Sequence, residues 1–318
     1  MLDKISVGIS ACLLGEKVRF DGGHKRLAFA VEDLAPFVRF EPICPEMALG
    51  LSSPRPALRL VKDKDLGVRI RLSNQPEIDL THAMQDFSVK KISGLSHLSG
   101  YVVCAKSPTC GMERVRLYET DGKNNTKNGT GLFTIELMQQ LPWLPIEEDG
   151  RLCDPKLREN FVARIFALHE FNQLWQKGLN RGELIAFHSR YKLLLLAHSQ
   201  PAYRELGRFV AAIDQWDSIN DFACEYRNRL MSLMCQNASR RGHTSVLQHI
   251  QGFFSQQLSP RQRQELAQLI LCYRQGSQPL LAPITLLKHY LAEYPNSYLA
   301  AQRYFDPYPE TLRLRYGH

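Results

Sequence analysis

Apolar positions in the first 150 residues come in short runs closed by turn formers. The runs at 5–10, 37–43 and 100–104 are rich in valine, isoleucine and phenylalanine or tyrosine, and each gives way to Ser, Pro or Cys. Runs of that length with such ends predict buried strands. The first strand is expected over 5–14 and the second over 37–43. Two more, 57–61 and 67–72, flank the charged turn 62–65, and two follow at 100–104 and 114–118. Helical spacing is expected over 25–34, from a cap at Asp79 or Thr81 to about Leu98, and over 132–141. The Asn- and Gly-rich 121–131 reads as a loop. Strands alternating with helices predict an α/β fold on a parallel sheet.

Past residue 150 the period changes. Phe161, Ile165, Leu168 and Phe171 recur at three- and four-residue steps, which predicts a helix over 155–178. The same spacing continues over 183–199, 203–216, 222–235, 244–258, 260–275 and 283–294. Gly or Pro separates most of these segments, and no fixed-period repeat is present. The second half is therefore expected to be all-α. Between the halves, 141–150 holds two prolines and the acidic Glu147-Glu148-Asp149, a plausible joint. The expected division is 1–145 and 146–318.

The 318 residues are 44% hydrophobic, as in a soluble globular protein. No run approaches the roughly 20 apolar residues of a membrane span, and Met1-Leu2-Asp3-Lys4-Ile5 lacks the core of a signal peptide. A cytoplasmic monomer with no membrane partner and no nucleotide cofactor is expected. Charge sharpens the division. Residues 1–150 hold 19 Lys+Arg against 19 Asp+Glu, and 151–318 hold 21 against 13, so the whole net +8 lies in the second half. Ten of the twelve tyrosines lie there too. Basic side chains interleaved with rings suit RNA, where cations meet phosphates and rings stack on bases. A solvated basic surface over a tyrosine-containing core has the same composition, and composition leaves both readings open. Lys192, Arg204, Arg208, Arg240 and Arg241 are example phosphate contacts.

Eight cysteines in a chain this long do not make a disulfide scaffold. In a reducing compartment, loop cysteines point to metal ligation or thiol catalysis. Cys12, Cys44 and Cys110 each follow an expected strand, 32 and 66 residues apart, and no Cys-x-x-Cys occurs. Strand ends are where open α/β sheets place ligands. Three separated thiolates suit an iron–sulfur cluster with one iron open to substrate; a single cysteine reads more readily as a small buried hydrophobe, and for the three together pattern alone leaves both readings open. Cys104, Cys224, Cys235 and Cys272 fall within apolar or helical patterns and read as core. Cys153 lies in the joint.

Glu46, two residues after Cys44, is a candidate general base, or a loop-bracing carboxylate. Ser107, three residues before Cys110, is a candidate proton relay, or a turn cap as Ser-Pro favours. Arg55, between Pro54 and Pro56, suits an anion or base carbonyl, or braces its loop. Asp21 and His24 are weaker substrate-binding candidates, since the Asp-Gly-Gly turn explains the first and a helix start the second. A lone Cys110 nucleophile would need His24, His82 or His97 as base, and no spacing selects one.

Taken together, Ser10-Ala11-Cys12-Leu13-Leu14-Gly15 with Val18 to Lys25, Cys44-Pro45-Glu46, Leu51 to Pro56, and Ser107-Pro108-Thr109-Cys110-Gly111 resemble, in order, the motifs of the TudS family of thiouracil desulfidases. The resemblance covers roughly residues 5–141. It implies a 4Fe–4S cluster on Cys12, Cys44 and Cys110, with Glu46 and Ser107 catalytic. The second half resembles the helical domain of the RudS proteins, which implies thiolated tRNA as partner and 4-thiouridine as target. One departure is that Tyr118 and Asp121-Gly122 are split by Glu119 and Thr120, where the family often has Tyr-Asp-Gly. Desulfidation of free thiouracil or a thionucleoside is the alternative chemistry, and an RNA-binding protein with a structural cluster is the alternative of another class.

Overall fold

The computed structural model describes residues 4–315. The chain divides into two compact units, Met1–Asp154 and Pro155–His318. The expected joint at 145–146 falls inside the first unit, because Ile146–Glu148 is a strand there.

The first unit is α/β and holds two four-stranded sheets rather than one. Its elements are β1 (Ile5–Ser10), β2 (Val38–Ile43), α1 (Pro45–Ala48), β3 (Leu58–Asp63), β4 (Gly67–Leu72), α2 (Thr81–Ile92), β5 (Gly100–Val103), β6 (Val115–Glu119), β7 (Asn125–Gly129), α3 (Leu132–Gln140) and β8 (Ile146–Glu148). The first sheet runs β2-β1-β5-β8 and is wholly parallel. The second runs β4-β3-β6-β7 and is mixed: β3 and β6 are parallel, while β3–β4 and β6–β7 are antiparallel hairpins. The charged turn at 62–65 is short enough only for antiparallel neighbours, so the all-parallel expectation fails in this sheet. Leu58, Leu60, Ile70 and Val115 form its buried face with Met84 of α2 and Leu132 of α3.

Several elements differ from the sequence expectation. The first strand stops at Ser10, and residues Ala11–Leu14 turn as a 3-10 helix. Residues 24–27 are not helical, and the helix expected from Lys25 is confined to a wide-turned π-type segment, Phe29–Leu34, entered through Ala28. Strand β7 was expected as loop. Helix α2 ends at Ile92 rather than near Leu98. Neither expected residue is its N-cap, which is Leu80 without a side-chain cap; Asp79, one residue earlier, accepts from the Thr81 amide at 2.9 Å, and the Thr81 hydroxyl accepts from the Ile70 amide of β4.

Gly131, just before α3, shows how tightly the cysteine loop is seated. Its amide donates to the Gly111 carbonyl at 2.7 Å. A Cβ at Gly131 would lie 2.4 Å from the Thr109 carbonyl carbon and 2.7 Å from the Cys110 nitrogen. Backbone cannot yield as a flexible side chain can, so Gly131→Ala is expected to cost about 1–3 kcal/mol. A lower melting temperature together with weaker iron retention checks this.

The second unit is helical, as expected. Helices α4 (Pro155–Gln176), α5 (Arg181–His198), α6 (Gln200–Ala211), α7 (Ile219–Cys235), α8 (Arg240–Phe253), α9 (Pro260–Gln275), α10 (Leu281–Glu293) and α11 (Ser297–Ala300) account for most of it. Ser, Asn or both start α5, α7, α8 and α9 with a side-chain oxygen accepting from the third helical amide, the arrangement that satisfies otherwise orphaned donors. Phe171, Phe187, Tyr226 and Phe222 form a continuous ring-to-ring core. Tyr191, Tyr226, Tyr273, Tyr290, Tyr304 and Tyr308 are buried, so most of this half's tyrosines are core rather than stacking surfaces. Cys224 and Cys235, expected in the core, are exposed. Among the described residues, no helix is long and apolar enough to cross a membrane.

Candidate active site

The strand ends of the parallel sheet open onto one cavity of about 490 Å³, lined among others by Cys12, Cys44, Cys104 and Cys110. Parallel strands place their carboxyl ends on one side, so loops leaving β1, β2 and β5 converge there. Cys12 sits in the first turn after β1, Cys44 at the N-cap of α1 after β2, and Cys110 in the loop after β5. The loop leaves β5 through Lys106, whose φ of +65° is left-handed. Asp21, His24, Arg55, Glu46 and Ser107 line the same cavity. The structure therefore gathers the three thiols with Glu46, Ser107, Arg55, Asp21 and His24 in one cavity, while His82 and His97 do not line it.

Glu46 is held on both oxygens. Arg55 Nε donates to Oε2 at 3.0 Å and Nη2 donates to it at 2.5 Å. Thr109 Oγ1 donates to Oε1 at 2.9 Å. Both partners are largely shielded, with side-chain exposures of 12% for Glu46 and 4% for Arg55. Both guanidinium nitrogens meet the same oxygen, and the Thr109 bond to the other completes the fixing of the carboxylate's orientation. Arg55 also donates to the Ser52 and Val18 carbonyls, so its guanidinium braces the loop and positions Glu46. Ser107 does not touch Glu46. Its Oγ lies 2.9 Å from Thr109 Oγ1 and accepts from the Cys110 amide at 3.1 Å. Thr109 thus joins Ser107 to Glu46, and its hydroxyl lies 3.6 Å from Cys110 Sγ.

Asp21 accepts from the Gly23 amide at 3.0 Å. That amide bond and nearby Arg19 hold its carboxyl below the usual range. His24 Nδ1 accepts from the Arg26 amide at 3.3 Å, leaving the rest of its ring to the cavity wall.

Sequence reasoning missed three groups. Cys104 was read as strand core, but β5 ends at Val103 and the Cys104 amide donates to Ser10 Oγ at 3.0 Å. Its thiol shares a hydrogen bond with Cys12, which raises Cys12 and lowers Cys104. Such a pair gives up one proton readily and the second with difficulty. Thr109 was passed over inside the Ser-Pro-Thr-Cys motif. Lys25 and Asp149 form a 2.6 Å ion pair at the cavity, and Asp149 also accepts from the Ala105 amide at 2.7 Å. Burial would lower the Lys25 ammonium, and the Asp149 carboxylate more than offsets it, so its pKa stands above the ordinary lysine value.

The acidic run expected in a joint is in fact a clamp. Glu147 takes Arg151, Glu148 accepts the Met112 and Glu113 amides at 2.8 and 3.2 Å, and Asp149 takes Lys25. All three carboxylates are buried. Each has a partner, as burial of charge requires.

Burial raises the other two thiols. Cys110 is pushed up to about 12, against the lowering bonds from Thr109 and Ser10. Cys44 is raised by burial and by Glu46, opposed by the Met47 and Glu46 amides and Arg55. Among the described residues no three Cys, His, Asp or Glu side chains close on a single ion. Thiols around the wall of a cavity are the type of donor that iron–sulfur clusters take. The residues present fit such a group.

The RNA candidates lie on three helices of the second unit. Lys192 is half-buried on α5, Arg204 and Arg208 are exposed one turn apart on α6, and Arg240 and Arg241 start α8. Arg240 Nη1 donates to the Tyr273 carbonyl.

A thiol-lined cavity at the strand ends of an α/β unit, with a fixed carboxylate beside it, followed by an all-helical unit, defines a two-module protein whose first module carries the candidate site. Comparison with known proteins agrees. Residues 7–149 match the family described as 2-thiouracil desulfurase, and residues 192–309 match a family described as a protein of unknown function, DUF1722. The chain therefore joins a module matching the thiouracil desulfurase family to one matching DUF1722, and it belongs to the same family as the following relative. It is 50% identical over 159 residues to the uncharacterized protein YbgA of Escherichia coli (strain K12), covering 50% of this chain and 94% of that protein. Among solved structures it is similar to a [4Fe-4S]-dependent thiouracil desulfidase, TudS, at 26% identity and a TM-score of 0.40, over 49% of this chain and 97% of the other.

Proposed function

We propose that this protein removes sulfur from 4-thiouridine in tRNA, giving uridine and sulfide, at a 4Fe–4S cluster held by Cys12, Cys44 and Cys110. The observation that carries the reading is the convergence of those thiols with the Arg55–Glu46–Thr109–Ser107 chain in one cavity. The desulfurase family match over the same residues supports it. The tRNA part rests on the net +8 of the second half.

Bound between the three thiolates, a cluster with one iron free of protein sulfur supplies a Lewis acid and a soft acceptor for sulfur. The chain's own residues do the rest. Arg55 holds Glu46 in place through Oε2. Oε1, shared with Thr109, takes a proton from water. The water oxygen bonds to C4 of the base, the C–S bond breaks, and sulfur departs as hydrogen sulfide. One water is consumed and no electron is transferred. Ser107, linked through Thr109, extends the path along which the proton moves.

Thr109→Val keeps the shape and removes the link. It is expected to lower kcat by about tenfold to a hundredfold with iron content unchanged. Single-turnover sulfide release on equally loaded samples measures this, and an unchanged rate removes Thr109 from the path.

The substrate is tested by loading the full chain anaerobically with iron and sulfide and adding tRNA that contains 4-thiouridine. Loss of the thiouridine absorbance with matching sulfide establishes the reading. Turnover of free 2-thiouracil alone would favour the free-base alternative, which the cavity permits because every residue lining it belongs to the α/β unit. Tight tRNA binding without sulfide release would favour an RNA-binding protein with a structural cluster. That class has no need of a fixed carboxylate beside the thiols.

A further inference from the structure

The α/β unit has a second cavity beside the thiol-lined one. It measures about 750 Å³ and lies against β3, β6, β7 and the loop that leaves β5. The two cavities share Ala57, Leu58, Ala105, Lys106 and Pro108 in their walls, so they meet at the loop that carries Ser107 and Cys110. Strand alternation explains what the second one presents. Leu58, Leu60, Val115 and Leu117 pack on the core side of the second sheet, so Arg59, Arg116 and Tyr118 stand on the opposite face. The pairing of β6 with β7 shifts by one residue between Val115 and Leu117, and such a bulge re-aims side chains. Lys127 stands in it and lines the same cavity as Arg116.

Charge in the first half balances over residues 1–150, yet this wall is lopsided. Six Lys or Arg side chains line it against two carboxylates, Glu113 and Glu148. Both carboxylates are committed. Glu113 pairs with Arg114 at 2.6 Å and with Arg151 at 3.2 Å, and Glu148 accepts the Met112 and Glu113 amides. Two of the cations are engaged elsewhere as well: Arg151 with Glu147, and Arg59 with the Gly122 carbonyl and the Tyr118 ring. Lys106, Arg116 and Lys127 remain. All three are exposed, and none of their side chains has an ion pair or a hydrogen bond among the described residues. Arg116 stands beside Arg59 across the β3–β6 ladder, one residue before the paired Leu60 and Leu117. Like charges placed side by side destabilise a sheet, and an anion on this face relieves them. Tyr118 is half-buried, with the Arg59 guanidinium 4.7 Å over its ring.

We propose that this face holds the single-stranded RNA segment next to the reacting nucleotide, with phosphates at Lys106, Arg116 and Lys127 and a base against the side of Tyr118 away from Arg59. Cations along a groove with a ring among them suit an unpaired strand, whose phosphates and bases are both presented. An acidic polypeptide would meet the cations but bring no base to Tyr118. The proposal rests on the tRNA desulfidase reading for the identity of the partner and deepens it, by giving the α/β unit its own hold on the strand. Lys106, on the wall common to both cavities, marks where the strand turns from the sheet toward the thiols. The β6–β7 hairpin, where Tyr118 and Asp121-Gly122 depart from the family spacing, builds this face.

The test measures binding of the full chain to unmodified tRNA by fluorescence anisotropy over a range of salt concentrations, with a melting curve for every variant. Arg116→Ala with Lys127→Ala is expected to weaken binding by about tenfold at low salt and to lower the slope of log affinity against log salt by about 1–2, one phosphate contact being lost for each. Tyr118→Leu is expected to weaken it by about fivefold or more with the slope unchanged, since stacking releases no counterions. Lys90→Ala with Lys91→Ala removes the same charge from exposed positions on α2 outside both cavities and is expected to change neither quantity. Absence of tRNA binding at micromolar protein overturns the proposal. So does unchanged affinity and slope in the Arg116 and Lys127 variant, or an equal loss in the Lys90 and Lys91 variant. Tighter binding of polyglutamate than of tRNA overturns it in favour of an acidic protein partner. Unmodified tRNA carries no reactive sulfur, so the two readings fail separately: binding through this face without sulfide release from thiolated tRNA fails the desulfidase reading, and sulfide release with tRNA binding insensitive to these variants fails this one.

Discussion

Glu46→Gln is expected to lower sulfide release by about a hundredfold to ten-thousandfold, the usual contribution of a positioned general base, while iron content and cluster absorbance stay at the wild-type level. The amide keeps the size of the side chain and loses the proton-accepting charge. Glu46 Oε2 accepts from two Arg55 nitrogens, so the substitution also strips a largely buried guanidinium of its counter-charge. Arg55 keeps its bonds to the Ser52 and Val18 carbonyls, which is why the loop is expected to hold. Iron quantitation, a melting curve and single-turnover kinetics on the same sample separate the effects. A variant that retains iron and turns over at the wild-type rate would remove Glu46 from the mechanism. A variant that loses iron and turnover together would make Glu46 a brace for the Cys44 loop. Glu46→Asp distinguishes further: it restores the charge at a shorter reach, and a base that must meet water at a fixed point should recover only part of the rate.

The site was legible in the sequence where chemistry interrupts pattern. Cys12, Cys44 and Cys110 stand just past apolar runs, and parallel pairing carries those ends to one edge. Cys104 was not legible, because apolar periodicity runs through it. Only the Ser10 hydroxyl, taking the Cys104 amide away from the ladder, moves that residue from strand to cavity. Thr109 was hidden for a different reason. A hydroxyl beside a cysteine has many local uses, and nothing in the chain shows that its partner is 63 residues away. Strand β7 has no apolar alternation, since all but its last residue are exposed, and it is held by pairing with β6 alone. Strand β8 was masked by its charges. Glu147, Glu148 and Asp149 read as solvated, and their burial depends on partners at Arg151, Met112 and Lys25 that pattern does not display. The helices of the second half were plain because 3.6-residue periodicity is local. What their tyrosines do was not plain, since a ring in a core and a ring on a surface have the same composition.

Cys110→Ala is expected to leave the protein folded and to abolish both iron retention and sulfide release. The thiol is buried, and Thr109 and Thr134 hold the residue in place: the first lies 3.6 Å from its sulfur and the second donates to its carbonyl at 2.7 Å. Removing one sulfur atom from a loop anchored this way costs folding little, on the order of 1 kcal/mol, so a melting shift of a few degrees is expected. Ligation is another matter. With Cys110 gone, the wall keeps Cys12, Cys44 and Cys104. The Cys104 thiol already shares its hydrogen bond with Cys12, and the expected loss of iron gives it no ligand role. Cys110→Ser sharpens the result, because a hydroxyl preserves size and polarity and is a poor ligand for soft iron. Cys104→Ser supplies the contrast: iron content is expected to remain near wild type if three thiolates suffice. Iron and acid-labile sulfide per chain, measured after anaerobic loading of all three variants, decide the matter. Full iron in Cys110→Ser would overturn the assignment of Cys110, and loss of iron in Cys104→Ser would make Cys104 a ligand and close the iron that the proposed chemistry needs open.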